Sequence, residues 1–266
     1  VNTLCDGAKY AKSSEDQKGC VFSEGQLIFS GKGTLRVTSL NKHAICSDDY
    51  VRFVNGTIEV LGAASDAVHA KDSVIVQSGA ITLCPSGDGI DCEGQVIIRE
   101  GENGVPVLNI TTTANAAKAL KANDYIVVSG GTTTITQSGS KVVEDSDPSY
   151  CAALKADSTI EITGGTLTIN SSAEGGRGLN ADLGIIISGG TITANMTGNG
   201  GMGSSDNERP GGGGRPGGGG PGGGGWPGGG GPGGNNGGST TTDDTDSFTS
   251  PCIKTDGYVT ISGGTL

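Results

Sequence analysis

The chain has 266 residues, with 51 Gly, 4% aromatic residues and a formal net charge of -11 at pH 7. That balance excludes nucleic acid and anionic membrane surfaces as partners, since both need a concentrated basic face. No apolar run approaches the roughly 20 residues that span a bilayer.

An ordinary globular core is poorly supplied by 33% hydrophobic residues, whereas a repeat architecture buries only a thin slice of core per unit. Seven Cys with no CxxC pair point to an oxidising compartment. Val1 in place of Met fits a leader removed from the N-terminus, so the expected location is secreted and extracellular.

Residues 1–24 carry no repeat and read as an N-terminal cap over the open edge of the first unit. Cys5 and Cys20 are the favoured disulfide pair within it. From residue 25 to 266 one phrase recurs: TIEITGGTLTIN from Thr159, GIIISGGTITAN from Gly184 and YVTISGGTL from Tyr258. Each copy is an alternating aliphatic run, a Ser/Thr-Gly-Gly-Thr corner, a second alternating run and a short third segment.

The third segments align as AICSDD from Ala44, AVHAKD from Ala67, GIDCEG from Gly89, ALKAND from Ala119, ALKADS from Ala153, GLNADL from Gly178 and CIKTDG from Cys252. With a side-chain period of two, Ile45, Val68, Ile90, Leu120, Leu154, Leu179 and Ile253 face inward. Cys46, His69, Asp91, Lys121, Lys155, Asn180 and Lys254 form the outward column. Three segments repeating every 22 to 25 residues predict an all-β, right-handed parallel β-helix of about eight rungs. Equivalent residues then stack at roughly 4.8 Å.

Small insertions are expected near Glu102–Pro106 and Gln137–Tyr150. A large Gly/Pro-rich insertion over 196–250 is expected to pack as extended, polyproline-II-like strands against its own coil or another molecule.

The outward residues carry the functional content. On the first strand they include Ile28, Ile75, Ile97, Val127 and Ile186, an apolar stripe that predicts an assembly face covered by the insertion or by a second copy. On the second strand Thr132, Thr134, Thr166, Thr168, Thr191 and Thr193 form a double row. This row also suits an ice-binding plane, although Thr favours exposed strands in any case. Asn55, Asn109, Asn170 and Asn195 begin N-glycosylation sequons, and the last three share one exposed side.

Asp66, Asp88 and Asp91 are the candidate calcium cluster, stacked carboxylates being ligands for a hard cation; Asp also caps turns without any metal. Lys121, Lys155 and Arg177 form a basic strip suited to uronate carboxylates, or a solvated charged column. His43 and His69 read as isolated surface residues. Cys84 and Cys92 pair across the PSGDGID turn, or Cys92 is a buried free thiol; Cys151 and Cys252 staple two insertion ends.

ITGGTLTI from Ile162, ISGGTITA from Ile187 and SGDGIDCEGQVII from Ser86 resemble the repeats of the bacterial carbohydrate-binding parallel β-helix family. That resemblance implies a pectate-lyase-like fold, bound calcium at Asp66, Asp88 and Asp91, and binding of cellulose or acidic sugars without cleavage. The Cys content and sequons depart from the bacterial pattern.

The expected function is that of a secreted, glycosylated, non-catalytic structural or adhesive protein that self-assembles into an extracellular fibre and binds polysaccharide. The alternatives are a monomeric calcium-dependent carbohydrate-binding module and a uronate lyase using Arg177 and Lys155.

Overall fold

The computed structural model describes residues 1–145, 147–199 and 250–266, and it is all-β. Two large sheets are built from parallel strands. The smaller contains the strands Gly19–Ser23, His43–Ser47, Val68–Ala70, Ile90–Cys92, Lys118–Ala122, Ala152–Ala156, Arg177–Ala181 and Ile253–Thr255, hydrogen-bonded in that order.

The larger sheet joins two ladders. One runs through Leu27–Phe29, Tyr50–Phe53, Ser73–Val76 and Gln95–Ile98; the other through Asn2–Cys5, Thr34–Ser39, Thr57–Ala63, Ala80–Leu83 and Val107–Thr112. They merge because Ile126–Gln137 and Thr159–Ser171 continue through the corner as single long strands, with register shifts around Ser129. Both columns then continue, one through Gly184–Ile187 to Tyr258–Ile261, the other to Thr191–Met196.

The corner explains the repeated Gly-Gly. Gly131, Gly165, Gly190 and Gly264 have φ of +85°, +81°, +81° and +85°, a region where an L side chain is strained. The Gly before each is excluded from carrying a side chain for a different reason, close stacking: a Cβ on Gly189 would lie 2.2 Å from the carbonyl oxygen of Thr163, and one on Gly263 2.4 Å from that of Ser188.

The aligned inward residues form the core. Ile45, Val68, Ile90, Leu120 and Leu154 are fully buried, joined by Val74, Val96, Ile81 and Leu108 from the larger sheet. Val259 and Ile261 belong to the same columns yet are exposed, because no described strand follows theirs.

Residues 1–24 hold strands that pair onto the first unit, Asn2–Cys5 against Thr34–Ser39 and Gly19–Ser23 against His43–Ser47. Asp6 ties this segment down, accepting hydrogen bonds from the Leu40 N–H at 2.6 Å, Ser39 Oγ at 2.8 Å and Tyr10 Oη. Gln137 is not an insertion residue but the buried end of a strand, its Nε2 donating to the carbonyls of Ala117 and Ala152 at 2.9 and 3.0 Å.

The antiparallel pair Val142–Glu144 and Asp147–Ser149 occupies that insertion instead. The Gly/Pro-rich insertion lies, over residues 200–249, outside the described residues.

Candidate functional site

The outward side of the eight-stranded sheet gathers the charged residues. Its main column is Cys46, His69, Asp91, Lys121, Lys155, Asn180 and Lys254, each the direct register partner of the next. A second column stands where the strands begin: His43, Asp66, Asp88 and Lys118. The backbone ladder links it, with Ala44 N–H donating to the Asp66 carbonyl, Ala67 N–H to that of Asp88 and Gly89 N–H to that of Lys118.

The side chains of the second column also bond along it. Asp66 Oδ1 accepts the Asp88 N–H at 2.7 Å, and Asp88 Oδ1 accepts the Lys118 N–H at 2.7 Å. Burial pushes the Asp88 carboxyl up to about 6, opposed by the Lys118 N–H and reinforced by the charge of Asp66. Burial also lowers the Lys118 ammonium. Its Nζ donates to Ala116 O at 2.7 Å and to Ser149 Oγ at 2.9 Å.

In the main column, Asp91 sits between an imidazole and an ammonium. His69 Nδ1 is 3.2 Å from its Oδ2 and Lys121 Nζ is 2.9 Å from its Oδ1. Burial works against the charged form, yet His69 and Lys121 hold Asp91 down at about 2. The Asp91 hydrogen bond raises His69 despite burial, and overcomes burial to raise Lys121.

Lys155 is clamped by Asp182 at 2.7 Å and Asp157 at 2.9 Å. The Arg177 guanidinium lies 4.1 Å over the Tyr150 ring. Lys121 and Lys155 are therefore adjacent, as the alignment expected, and each has its own acidic partner.

A groove of about 560 Å³ opens beside this strip, lined by Ala116, Val142, Glu144, Asp145, Asp147 and Ser149. Lys118 connects strip and groove through its bond to Ser149.

Asp66, Asp88 and Asp91 share this face but do not bring three ligand atoms within 4.8 Å of one another. Calcium takes six to eight oxygens, and these carboxylates are engaged by backbone N–H groups, His69 and Lys121. The trio does not fit such an ion.

The histidines depart from expectation most. His43 and His69 are not isolated: their rings stack at 4.6 Å between centroids with planes 19° apart. His43 Nδ1 lies 3.1 Å from Asp66 Oδ2 but is not aligned for a hydrogen bond, and it is buried without a partner. The signal was present, because His43 stands one residue before the aligned AICSDD segment, in the column of Asp66.

The remaining site residues fall as follows. Asn109, Asn170 and Asn195 are exposed on the larger sheet, with Asn195 Nδ2 donating to Asn170 Oδ1 at 2.9 Å. Asn55 is half-buried and its Oδ1 accepts the Gly56 N–H. Ile28 is 50% exposed, whereas Ile75, Ile97, Val127 and Ile186 are half-buried along the same ladder.

All seven cysteines are free thiols, so none of the expected pairs is formed. Cys92 belongs to the core while Cys84 is exposed, and Cys151 is buried with its thiol directed at the carbonyls of Ala114, Ser138 and Ser140. Cys252 is exposed, its thiol facing the Ala194 carbonyl. Cys46, expected outward, is fully buried between its register partners Phe22 and His69. Among the described residues no helix is long and apolar enough to cross a membrane.

A family model described as "Carbohydrate-binding domain-containing protein" matches residues 1–200. Comparison with curated proteins finds no match, and comparison with solved structures finds none.

Proposed function

The chain belongs to the family of carbohydrate-binding domain-containing proteins, and from that premise we propose that it is a non-catalytic binder of polysaccharide. The binding surface is the outward side of the eight-stranded sheet with the adjoining groove. One observation carries the reading: Lys121 and Lys155 are register partners on successive strands, and Arg177 on the next strand, paired to Ala152 and stacked on Tyr150, adds a third cation on the same sheet, near a groove walled by Glu144, Asp145 and Asp147. Cations at the repeat spacing suit a polymer with regularly placed carboxylates, and the acidic groove wall suits sugar hydroxyls as donors.

The preferred ligand class is an acidic polysaccharide such as polygalacturonate, with cellulose the neutral comparison. Affinity electrophoresis of the full chain should show retardation by polygalacturonate that weakens with salt and is lost in Lys121→Ala/Lys155→Ala. Equal retardation of wild type and double variant would overturn the reading. Appearance of unsaturated products in the same incubation would replace it with the lyase alternative.

The fold reading that accompanies this function is a right-handed parallel β-helix of about eight rungs. It is supported by strands that pair in parallel with their equivalents one unit on and by the handedness of parallel crossovers. Secretion and N-glycosylation are proposed with it, on the exposed positions of Asn109, Asn170 and Asn195. Expression in a glycosylating host should give forms that collapse to one mass on enzymatic deglycosylation; a single unmodified mass overturns this part.

A second reading, self-association into a fibre, rests on the apolar residues Ile28, Ile75, Ile97, Val127 and Ile186 of one register column, which Arg52 and Glu161 interrupt. Sedimentation as a monomer at high concentration would remove it.

A further inference from the structure

We propose that His43, Asp66 and His69 form a binding site for a divalent transition-metal ion of zinc's class. Among the described residues this is the group of three whose ligand atoms all lie within 4.8 Å of one another. Two imidazoles and one carboxylate are a borderline-soft donor set. It suits zinc, cobalt, nickel or copper rather than calcium, which takes oxygen ligands alone. Three protein ligands leave a fourth position for water.

Two further observations point to an ion. First, the Nδ1 of His43 is buried and has no aligned partner, although Asp66 Oδ2 is 3.1 Å away. A buried polar atom left unpaired costs about 1–3 kcal/mol, and a cation placed between the nitrogen and the carboxylate satisfies both.

Second, His69 is already supported from behind. Asp91 Oδ2 accepts from its Nδ1 at 3.2 Å, and Lys121 in turn holds Asp91. A carboxylate on one imidazole nitrogen fixes the ring and leaves the other nitrogen free to ligate, here Nε2, with exposed Glu93 3.9 Å from it.

Asp66 is similarly preset. Its Oδ1 takes the Asp88 N–H, and its Oδ2, which accepts from Ser65 Oγ at 3.2 Å, faces His43. No lysine or arginine among the described residues pairs with Asp66.

The ligands come from adjacent strands of one sheet. His43 begins one strand, Asp66 stands two residues before the next, and His69 lies within it. The site therefore needs no assembly of distant segments, and it stands whether or not the protein binds polysaccharide.

The test uses the full chain, stripped with a chelator. Equilibrium dialysis against zinc chloride should give one ion per chain, undisturbed by a hundredfold excess of calcium. Cobalt(II) should give visible d–d bands without thiolate charge transfer, which excludes the cysteines as the ligands. His43→Gln and His69→Gln should each weaken zinc binding at least about tenfold, and Asp91→Asn by about 10–100-fold through His69.

His43 and His69 are the only two histidines in the chain. Diethyl pyrocarbonate should therefore modify both in the stripped protein and neither in the zinc-loaded one, a readout independent of whether the variants fold. Absence of zinc binding, equal competition by calcium, or modification unaffected by zinc each overturns the proposal.

Discussion

Two outward columns of this molecule have the same geometry and opposite chemistry. On the larger sheet, Thr82, Asn109, Thr134, Thr168 and Thr193 stack in register as neutral, nearly identical neighbours. On the smaller sheet, His69, Asp91, Lys121 and Lys155 stack in register with changing charge. In a parallel ladder every residue meets its equivalent at roughly 4.8 Å. A neutral column can therefore repeat itself, but a charged one must alternate or recruit partners from outside. Asp91 supplies the alternation, and Asp157 and Asp182 are the recruits that let Lys155 follow Lys121.

The largest way to break this comparison is to remove the stacking on which both columns depend. Gly189→Ala places a methyl group 2.2 Å from the Thr163 carbonyl oxygen, which no rotamer can relieve because the clash is with backbone. It should lower stability by about 3 kcal/mol, with both columns affected alike. Urea denaturation checks the loss; an unchanged midpoint would mean that the corners are not packed this closely.

A smaller loss should separate the two faces. Asp91→Ala strips the shared anion from His69 and Lys121 and leaves a half-buried imidazole and a half-buried ammonium without their partner, for a cost of about 1–3 kcal/mol. Thr134→Ala, one strand beyond Asn109 on the other sheet, should change stability by less than about 0.5 kcal/mol. Equal effects in the same urea series would show that the ion pairs at Asp91 contribute nothing measurable.

The polar face should also titrate where the Thr face does not. Asp88 is raised to about 6 in the fold against an ordinary 3.8. The folded state then holds its proton more tightly, and stability rises as pH falls from about 6 towards 4. Asp91 has the opposite sign: lowered to about 2 from 3.8, it contributes above 3.8 and its contribution is lost as pH falls through 2. Thermal melts in chelator-containing buffer should rise on acidification to near pH 4 and then fall. Asp88→Asn, which keeps an acceptor for the Lys118 N–H, should abolish the rise and keep the fall.

Much of this was legible in the sequence because column membership is a matter of counting. Aligning the third segments placed His69, Asp91, Lys121, Lys155, Asn180 and Lys254 in one outward line, and the observed register agrees. The distance between columns is not a matter of counting. His43 and His69 are 26 positions apart in different columns, and their stacking at 4.6 Å depends on how each strand enters its sheet.

Gln137 was misread for a related reason. A polar residue at the end of a Thr-rich strand looks like the start of a loop, and only the position of the Ala117 and Ala152 carbonyls makes it a buried strut. The cysteines show the same limit: alternation put Cys46 outside, and the flanking strands bury it.

The smallest predicted effect has the reverse sign. Thr133 points inward, in register between Leu108 and Leu167, and its hydroxyl is buried with no partner. Its side chain thus belongs to the core, while Thr132 and Thr134 beside it belong to the neutral face. Val has nearly the same shape without the hydroxyl, so Thr133→Val removes an unpaired polar group and leaves the packing intact. The gain should be about 1 kcal/mol, read as a higher urea midpoint with unchanged slope. A loss would mean that the hydroxyl has found a partner inside, and that the boundary between the Thr face and the core runs through Thr133 rather than beside it.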